Sequence, residues 1–333
     1  MSEIRREPLL GYEVVIAARR AERPQQWDHS PPVAKSLACP FCEGAEQLAP
    51  PELWAARPHD SPANGPGWQV RVVPNRFPAF DREEQPGEAQ CGDEFFPRQS
   101  ASGWQDVVIE SPQHQISFSE LSPENARLTF LAYQARLNAL KSEGRYAYAQ
   151  IFKNVGAGGG ASLEHSHSQI MATERTPLRV QQELAASRDY FDRYGRSYWA
   201  ELIERELAAA ERIVYADDHF VAFCPFASRV PLETWILPRR ADSDFCGVDL
   251  ARLEQLAQLT QRCVSQIENA LEFSAYNYLI HTTPFDINAQ AYYHWRLVIL
   301  PRATTQAGFE WGTGMFVNPL PPERAAALMR SAQ

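Results

Sequence analysis

Gly158-Gly-Gly-Ala-Ser-Leu-Glu-His165-Ser-His167-Ser-Gln169-Ile-Met171 is a glycine-rich loop running into a segment whose alternate residues are His165, His167 and Gln169. Read as a β-strand, it puts those three side chains on one face, neighbours roughly 6.5–7 Å apart. Two imidazoles and an amide make poor core material. They suit metal binding, nucleophilic attack and contact with an anionic oxygen. The competing reading is a pair of surface histidines on an edge strand.

Working outward, this segment is the last strand of a unit that the chain contains twice. Its counterpart is Tyr293-His294-Trp-Arg296-Leu-Val298-Ile299, and before each lies another strand, Tyr148–Lys153 in one half and Tyr276–His281 in the other. Upstream of those strands come helical stretches. Ser122-Pro-Glu-Asn opens the first, with Leu128, Leu131, Ala132, Ala135 and Leu140 at helical spacing, and the second runs from Asp249 through Leu253, Leu256, Leu259, Val264 and Ile267. Asp106–Pro112 matches Glu233–Pro238, each a strand ending at proline. Val70–Phe80 is expected to match Ile213–Phe223, each as strand, tight turn, strand. The order implies an α+β class, with antiparallel sheets and a helix packed across each. Aligned on the last strand, His165 faces His294, but His167 faces Arg296 and Gln169 faces Val298. One reactive centre is therefore expected, in the first unit. Residues 174–212 hold a helical stretch rich in charge and aromatics, from Gln181 to Ala210, and proline-rich residues 23–67 are expected to wrap the surface as loops.

Composition bounds the rest. The 333 residues are 44% hydrophobic and 22% charged, with a formal net charge of −9. That balance, without long basic runs, argues against nucleic acid as a partner. The charged opening lacks an apolar stretch behind it, and no apolar run is long enough to span a membrane. Cys39, Cys42, Cys91, Cys224, Cys246 and Cys263 read as a reduced inventory, so the expected compartment is the cytoplasm.

Cys39-Pro-Phe-Cys42 has no β-α-β setting for thioredoxin chemistry and favours metal over redox. Zinc takes four ligands, and His114 and His165 are the best candidates to complete a closed set with Cys39 and Cys42. His114 also reads as an ordinary loop histidine. With His165 as a brace, His167 remains a free imidazole able to attack phosphorus, its far N–H fixed by a backbone carbonyl. Gln169 can donate to a phosphate oxygen but cannot protonate a leaving group, which favours transfer between phosphates over hydrolysis. The preceding segment offers Lys153, Asn154, Gly158, Gly159, Gly160 and Ser162 to a diphosphate. Arg20, Arg23, Asn75 and Arg76 are further candidates for a nucleotide's anionic groups. Solvated surface charge is the competing reading for each arginine.

Together Arg20-Ala-Glu-Arg23-Pro, Cys39-x-x-Cys42, Pro74-Asn75-Arg76-Phe-Pro, Ser111-Pro-x-His114, Asn154 to Ser162 and His165-Ser-His167-Ser-Gln169 resemble the galactose-1-phosphate uridylyltransferase family of the histidine-triad superfamily. The resemblance implies tandem histidine-triad repeats, residues 1–190 carrying the zinc site and reactive histidine and residues 191–333 lacking that set. It implies a homodimer with Zn2+ on Cys39, Cys42, His114 and His165, and ping-pong transfer through a nucleotidyl group on His167. The substrates would be a nucleoside diphosphate sugar and a sugar 1-phosphate, as in UDP-glucose:hexose-1-phosphate uridylyltransferases. Serine between the histidines is similar to the branch holding ADP-sugar phosphorylases, an alternative reading. A third, of another class, is a catalytically weak nucleotide-binding module. Members often carry a second metal. Glu183 and His281 would be its remnants here, and Arg296 and Val298 stand where further ligands would sit, so that metal is expected to be absent. The sugar is expected near Phe309-Glu310-Trp311.

Overall fold

The computed structural model describes residues 2–22, 39–58, 61–80, 82, 94–98, 100–272 and 275–332. Two short strands open the chain, β1 (Glu3–Arg6) and β2 (Glu13–Ile16), paired antiparallel. The first repeat follows: β3 (Trp54–Ala56), β4 (Val70–Pro74), β5 (Gly103–Ile109), helix α1 (Pro123–Ser142), β6 (Tyr148–Val155) and β7 (His167–Thr173). Helices α2 (Leu178–Tyr194) and α3 (Tyr198–Ala209) lead into the second repeat. It comprises β8 (Ile213–Ala216), β9 (Phe220–Phe223), β10 (Thr234–Pro238), α4 (Leu250–Leu271), β11 (Tyr276–His281) and β12 (Arg296–Pro301). Helix α5 (Gly308–Thr313), β13 (Phe316–Asn318) and α6 (Pro322–Ser331) end the chain, β13 adding to β2 in parallel.

Each repeat has the same strand order, read from its outer edge: β3-β4-β5-β7-β6 and β8-β9-β10-β12-β11. The two join where β6 pairs antiparallel with β11, Lys153 opposite Tyr278 and Asn154 opposite Asn277, giving one ten-stranded sheet. This is the α+β arrangement of antiparallel units, each crossed by a helix, that the sequence implied.

Local chemistry places the helices. Ser122 caps α1 by accepting from the Asn125 N–H, and Pro123 occupies the first turn, where no N–H is needed. Asp249 caps α4 through the Arg252 N–H. Both helices lie on one face of the sheet over a core that includes Phe130, Tyr133, Leu137, Leu256, Val264 and Ile267, with Ile151, Ile170, Tyr278 and Leu297 from the strands. The other face is covered over the second unit by Leu184, Tyr198, Trp199 and Ile203 of α2 and α3. Over the first unit it carries His167 and Gln169.

Two expectations are corrected. The match of Val70–Phe80 to Ile213–Phe223 is off by one strand: β4 corresponds to β9, and the counterpart of β8 is β3, inside the proline-rich stretch read as loops. Residues after β4 turn instead of pairing, because the side-chain Oδ1 of Asn75 accepts the Phe77 N–H at 2.8 Å and Pro78 has none to give. The strand bearing the histidines begins only at His167, so His165 precedes it.

Candidate functional site

Cys39 and Cys42 sit on a turn closed by the Cys42 N–H on the Cys39 carbonyl, and the Glu43 N–H docks that turn on the Pro112 carbonyl after β5. The loop beyond β5 brings His114, and the approach to β7 brings His165. The four ligand atoms, two Sγ and two ring nitrogens, lie within 4.8 Å of one another. Cys39 Sγ and His165 Nδ1 are 3.5 Å apart, Cys42 Sγ and His114 Nδ1 3.5 Å, Cys42 Sγ and His165 Nδ1 3.6 Å. A tetrahedral ion with Zn–S of about 2.3 Å and Zn–N of about 2.0 Å would separate sulfur from nitrogen by about 3.5 Å. The donor set therefore fits zinc. His165 Nε2 lies 2.8 Å from the Ser111 carbonyl, which leaves Nδ1 unprotonated toward the sulfurs. Burial holds His165 neutral, its pKa near 4. Burial and the neighbouring Cys39 push the Cys42 thiol up to about 11, so thiolates here need a cation beside them.

His167 is buried, 6% exposed. Its Nδ1 lies 2.7 Å from the His165 carbonyl, so Nδ1–H donates there and Nε2 keeps a free lone pair. Burial lowers its pKa, and Lys153 lowers it further against the opposing carbonyl bond. Phe41, between the two cysteines, packs edge-on against His167 and His165 with centroids 5.3 and 6.1 Å away. The turn that carries the two cysteines thus also walls the His167 ring. Gln169, next on this face, accepts from the Gln105 amide at 2.6 Å.

Lys153 is not a phosphate ligand, contrary to expectation. Its alternation on β6 turns it to the opposite face, fully buried, where Nζ donates to Glu110 at 2.5 Å, Ser166 Oγ at 2.9 Å and the His167 carbonyl at 3.2 Å. Ser166 donates to the same Glu110 oxygen, and the Tyr133 hydroxyl donates to Ser168. A polar network beneath the sheet therefore holds the backbone on which His167 stands. Burial pushes the Lys153 amine down while Glu110 opposes that.

The remaining candidates divide. Asn154 is spent on the joint between repeats, its oxygen taking an N–H from Asn277 at 2.8 Å, while Asn277 also donates to the Gly159 carbonyl and accepts from Arg302 at 2.6 Å. Gly159 has no room for a side chain, since a Cβ would lie 2.8 Å from the Tyr276 carbonyl, and Gly160 has φ of +80°. Gly158, Gly160 and Ser162 are exposed at the mouth of the loop. Arg76 is exposed, its guanidinium 5.7 Å from the Phe77 ring centroid, and Asn75 is half-buried. Arg20 is exposed on the turn Ala18–Glu22 and forms no ion pair among the described residues. Arg23 lies outside the described residues. Phe309 and Trp311 are largely exposed on α5.

In the second unit Glu183 is taken up by Arg296, whose Nη1 and Nη2 donate to its two oxygens at 2.8 and 2.7 Å, and the Tyr293 hydroxyl adds a third bond at 2.7 Å. Arg296 stacks against Trp199 and Trp235. His281, close by, is driven down to a pKa near 3 by burial and then by Arg296. Glu183, His281 and Arg296 line a cavity of about 480 Å³ together with Asn154, Gly159 and Asn277.

Gln105, Glu110 and Phe41 were not singled out from sequence. Glu110 left a signal, a lone charge ending the apolar run Val107-Val-Ile, and so did Gln105, a polar residue in step with Val107 and Ile109.

A model of the galactose-1-phosphate uridyl transferase N-terminal domain matches residues 1–177, and one of a domain of unknown function matches residues 104–332. The chain is 36% identical to an ADP-glucose phosphorylase of Arabidopsis thaliana, covering 98% of this chain and 92% of that protein. It is 28% identical to a galactose-1-phosphate uridylyltransferase of Haemophilus influenzae, covering 88% and 81%. The crystal structure of an Arabidopsis thaliana ADP-glucose phosphorylase with bound ADP-glucose superposes with a TM-score of 0.84 at 35% identity, covering 100% and 99% of the two chains.

Proposed function

Since the chain belongs to the galactose-1-phosphate uridylyltransferase family, and is a nucleotidyltransferase, we propose that it carries the nucleotidyl group on His167 between a nucleoside diphosphate sugar and a sugar 1-phosphate. The observation that carries this reading is the free Nε2 of a buried, neutral His167, its other nitrogen tied to a backbone carbonyl.

Nε2 attacks the α-phosphorus, forming a P–N bond. The bond to the bridging oxygen breaks, and its electron pair leaves with the sugar 1-phosphate. A phosphate oxygen of the acceptor then attacks the same phosphorus and returns the electron pair to Nε2. Neither leaving group needs a proton, which suits Gln169, a donor without an acid, as the group that steadies charge on the non-bridging oxygens. Gly158 and Ser162 present an N–H and a hydroxyl for the diphosphate, while the Gly160 N–H closes the turn on the Ala157 carbonyl, and the cavity beside Asn154 and Gly159 holds the hexose. Zinc on Cys39, Cys42, His114 and His165 would be a closed structural centre that fixes the backbone carrying His167. The Arg296–Glu183 pair occupies the ground of a second metal, so one tightly bound ion per chain is the expectation, and metal analysis finding two would overturn it.

UDP-hexose with a hexose 1-phosphate acceptor is the leading substrate pair. The 36% identity to a plant ADP-glucose phosphorylase supports a second reading, adenylyl transfer from an ADP-sugar. Incubation with radiolabelled UDP-glucose and ADP-glucose, followed by mass spectrometry of the adduct, separates them. Loss of label in His167→Ala is expected, and full label in that variant would sink the assignment. The reading extends to a homodimer, as the family resemblance implies, with Phe309 and Trp311 of α5 exposed as apolar surface for a partner copy. It also extends to a cytoplasmic location, in keeping with the free cysteines among the described residues. No helix of the described residues is long and apolar enough to cross a membrane.

A further inference from the structure

We infer that Gln105 is a positioning residue that fixes which end of the Gln169 amide faces the transferring phosphate, an inference that rests on the nucleotidyl-transfer reading above. An amide side chain has a donor end and an acceptor end of nearly the same shape, and only its bonding partners decide which points where. Gln105 lies at the start of β5, 7% exposed. Its Oε1 takes the backbone N–H of Ala79 at 2.9 Å. A backbone N–H can only donate, so this bond admits one orientation of the Gln105 amide. Its NH2 must then point to Gln169, and it does, donating to Gln169 Oε1 at 2.6 Å. With its oxygen occupied, Gln169 offers only NH2 to the face on which His167 stands.

The alternative orientation would present the Gln169 oxygen to an anionic phosphate and repel it. Two amides in series thus carry the polarity of one backbone N–H to the reacting centre. That N–H belongs to the loop following β4, the loop that also carries Asn75 and Arg76, and the Asn75 N–H reaches back to the Gln105 carbonyl at 2.8 Å. The loop and the amide donor are therefore mechanically one part.

Two substitutions of like size separate polarity from packing. Gln105→Met removes the bond and leaves Gln169 free to rotate. Gln105→Glu keeps an acceptor for the Ala79 N–H, but its ionised carboxylate draws the Gln169 NH2 toward itself and turns the oxygen to the substrate. Labelling of His167 by radiolabelled UDP-glucose or ADP-glucose, whichever labels the unsubstituted enzyme, is followed as single-turnover rate and half-saturation against pH. The expected rate loss is about tenfold for Gln105→Met and about a hundredfold for Gln105→Glu at about pH 8, with half-saturation little changed. The ratio of the Glu to the Met rate should rise as pH falls towards about 5, because a protonated carboxyl can donate to Gln169 as the native amide does. Taking the ratio removes the part of the His167 titration that the two variants share, and following the Gln105→Met rate alone against pH gives that part directly. Equal rates for the two variants at every pH, or a loss confined to half-saturation, would overturn the positioning role alone. Failure of the unsubstituted enzyme to label with either donor would overturn the transfer reading, and this inference with it.

Discussion

At the scale of single residues, His167 is kept neutral by burial and by Lys153 below the strand, against the carbonyl that favours its charged form. The proton relation has a definite sign. Nucleophilic attack needs the neutral ring, the folded pKa lies below the ordinary value of about 6.5, and so the reactive fraction persists as pH falls through that value. The rate of His167 labelling should stay flat to below about pH 6.5. A rate that halves at or above about pH 6.5 would show that burial does not set the ring's charge. The turn that carries the two cysteines offers a second residue-scale expectation. Cys42→Ser should lower the zinc content and slow labelling, because Phe41 and the His165 carbonyl lose their anchor, while leaving His167 itself in place. Metal analysis beside the labelling rate checks both. Much of this site was legible before any coordinates, since Cys39, Cys42, His114 and His165 have metal chemistry whatever the fold. Lys153 was misread because a lysine beside a glycine loop looks like a phosphate ligand, and only strand alternation reveals that it faces the other way. Gln105 was silent because its meaning lies in a bond to Ala79, a residue with no side-chain chemistry of its own.

At the scale of elements, turns and caps decided which sequence expectations held. Ser122-Pro-Glu-Asn and Asp249 announced α1 and α4, and both helices start there. The stretch from Gln181 to Ala210, read as one helical run, is divided into α2 and α3 at Gly195, whose φ of +70° ends the first. β3 escaped notice because three residues, Trp54–Ala56, give no measurable alternation, and only pairing to β4 makes them a strand. The end of α3 carries a testable strain. Ala210 terminates it with φ of +56°, a left-handed conformation that glycine adopts without a Cβ clash. Ala210 is exposed, so replacing it removes no packing. Ala210→Gly should therefore stabilise the protein, by about 0.5 kcal/mol after the flexibility glycine adds to the unfolded chain. The same change at Ala208, exposed within the helix, should destabilise by up to about 1 kcal/mol. Thermal unfolding of the two variants side by side gives opposite signs if the left-handed cap is real. A loss of stability in both would refute it.

At the scale of the whole molecule, two units of one topology meet through β6 and β11 and share a continuous face. The first unit uses that face for His167 and Gln169, whereas the second holds Arg296 and Val298 there. The repeat was visible in the sequence through paired strands and helices. Its joint was not, because nothing in either unit says that Asn154 will sit opposite Asn277. What the second unit does with its face is a question of stability, and Glu183 and Arg296 answer it. Both are buried, bound at two points, and enclosed by Trp199, Trp235 and Tyr293. Removing one charge leaves the other buried without a partner, which costs about 3–5 kcal/mol, whereas replacing both by neutral groups of similar volume costs far less. Glu183→Gln and Arg296→Met should each destabilise to that degree in urea unfolding. The double variant should lose much less than the sum, and strict additivity would show that the two charges do not depend on each other. The pair also fixes an acid limb. Although burial opposes ionisation, Arg296 holds the Glu183 carboxyl down to about 2, below its unfolded value. Its contribution is therefore fully present above about pH 4.5 and is lost as pH falls through 2. Glu183→Gln, lacking that titration, should show a shallower fall in stability between those limits than the unsubstituted protein. Parallel acid curves would mean that this carboxylate is not the group that holds the second unit together.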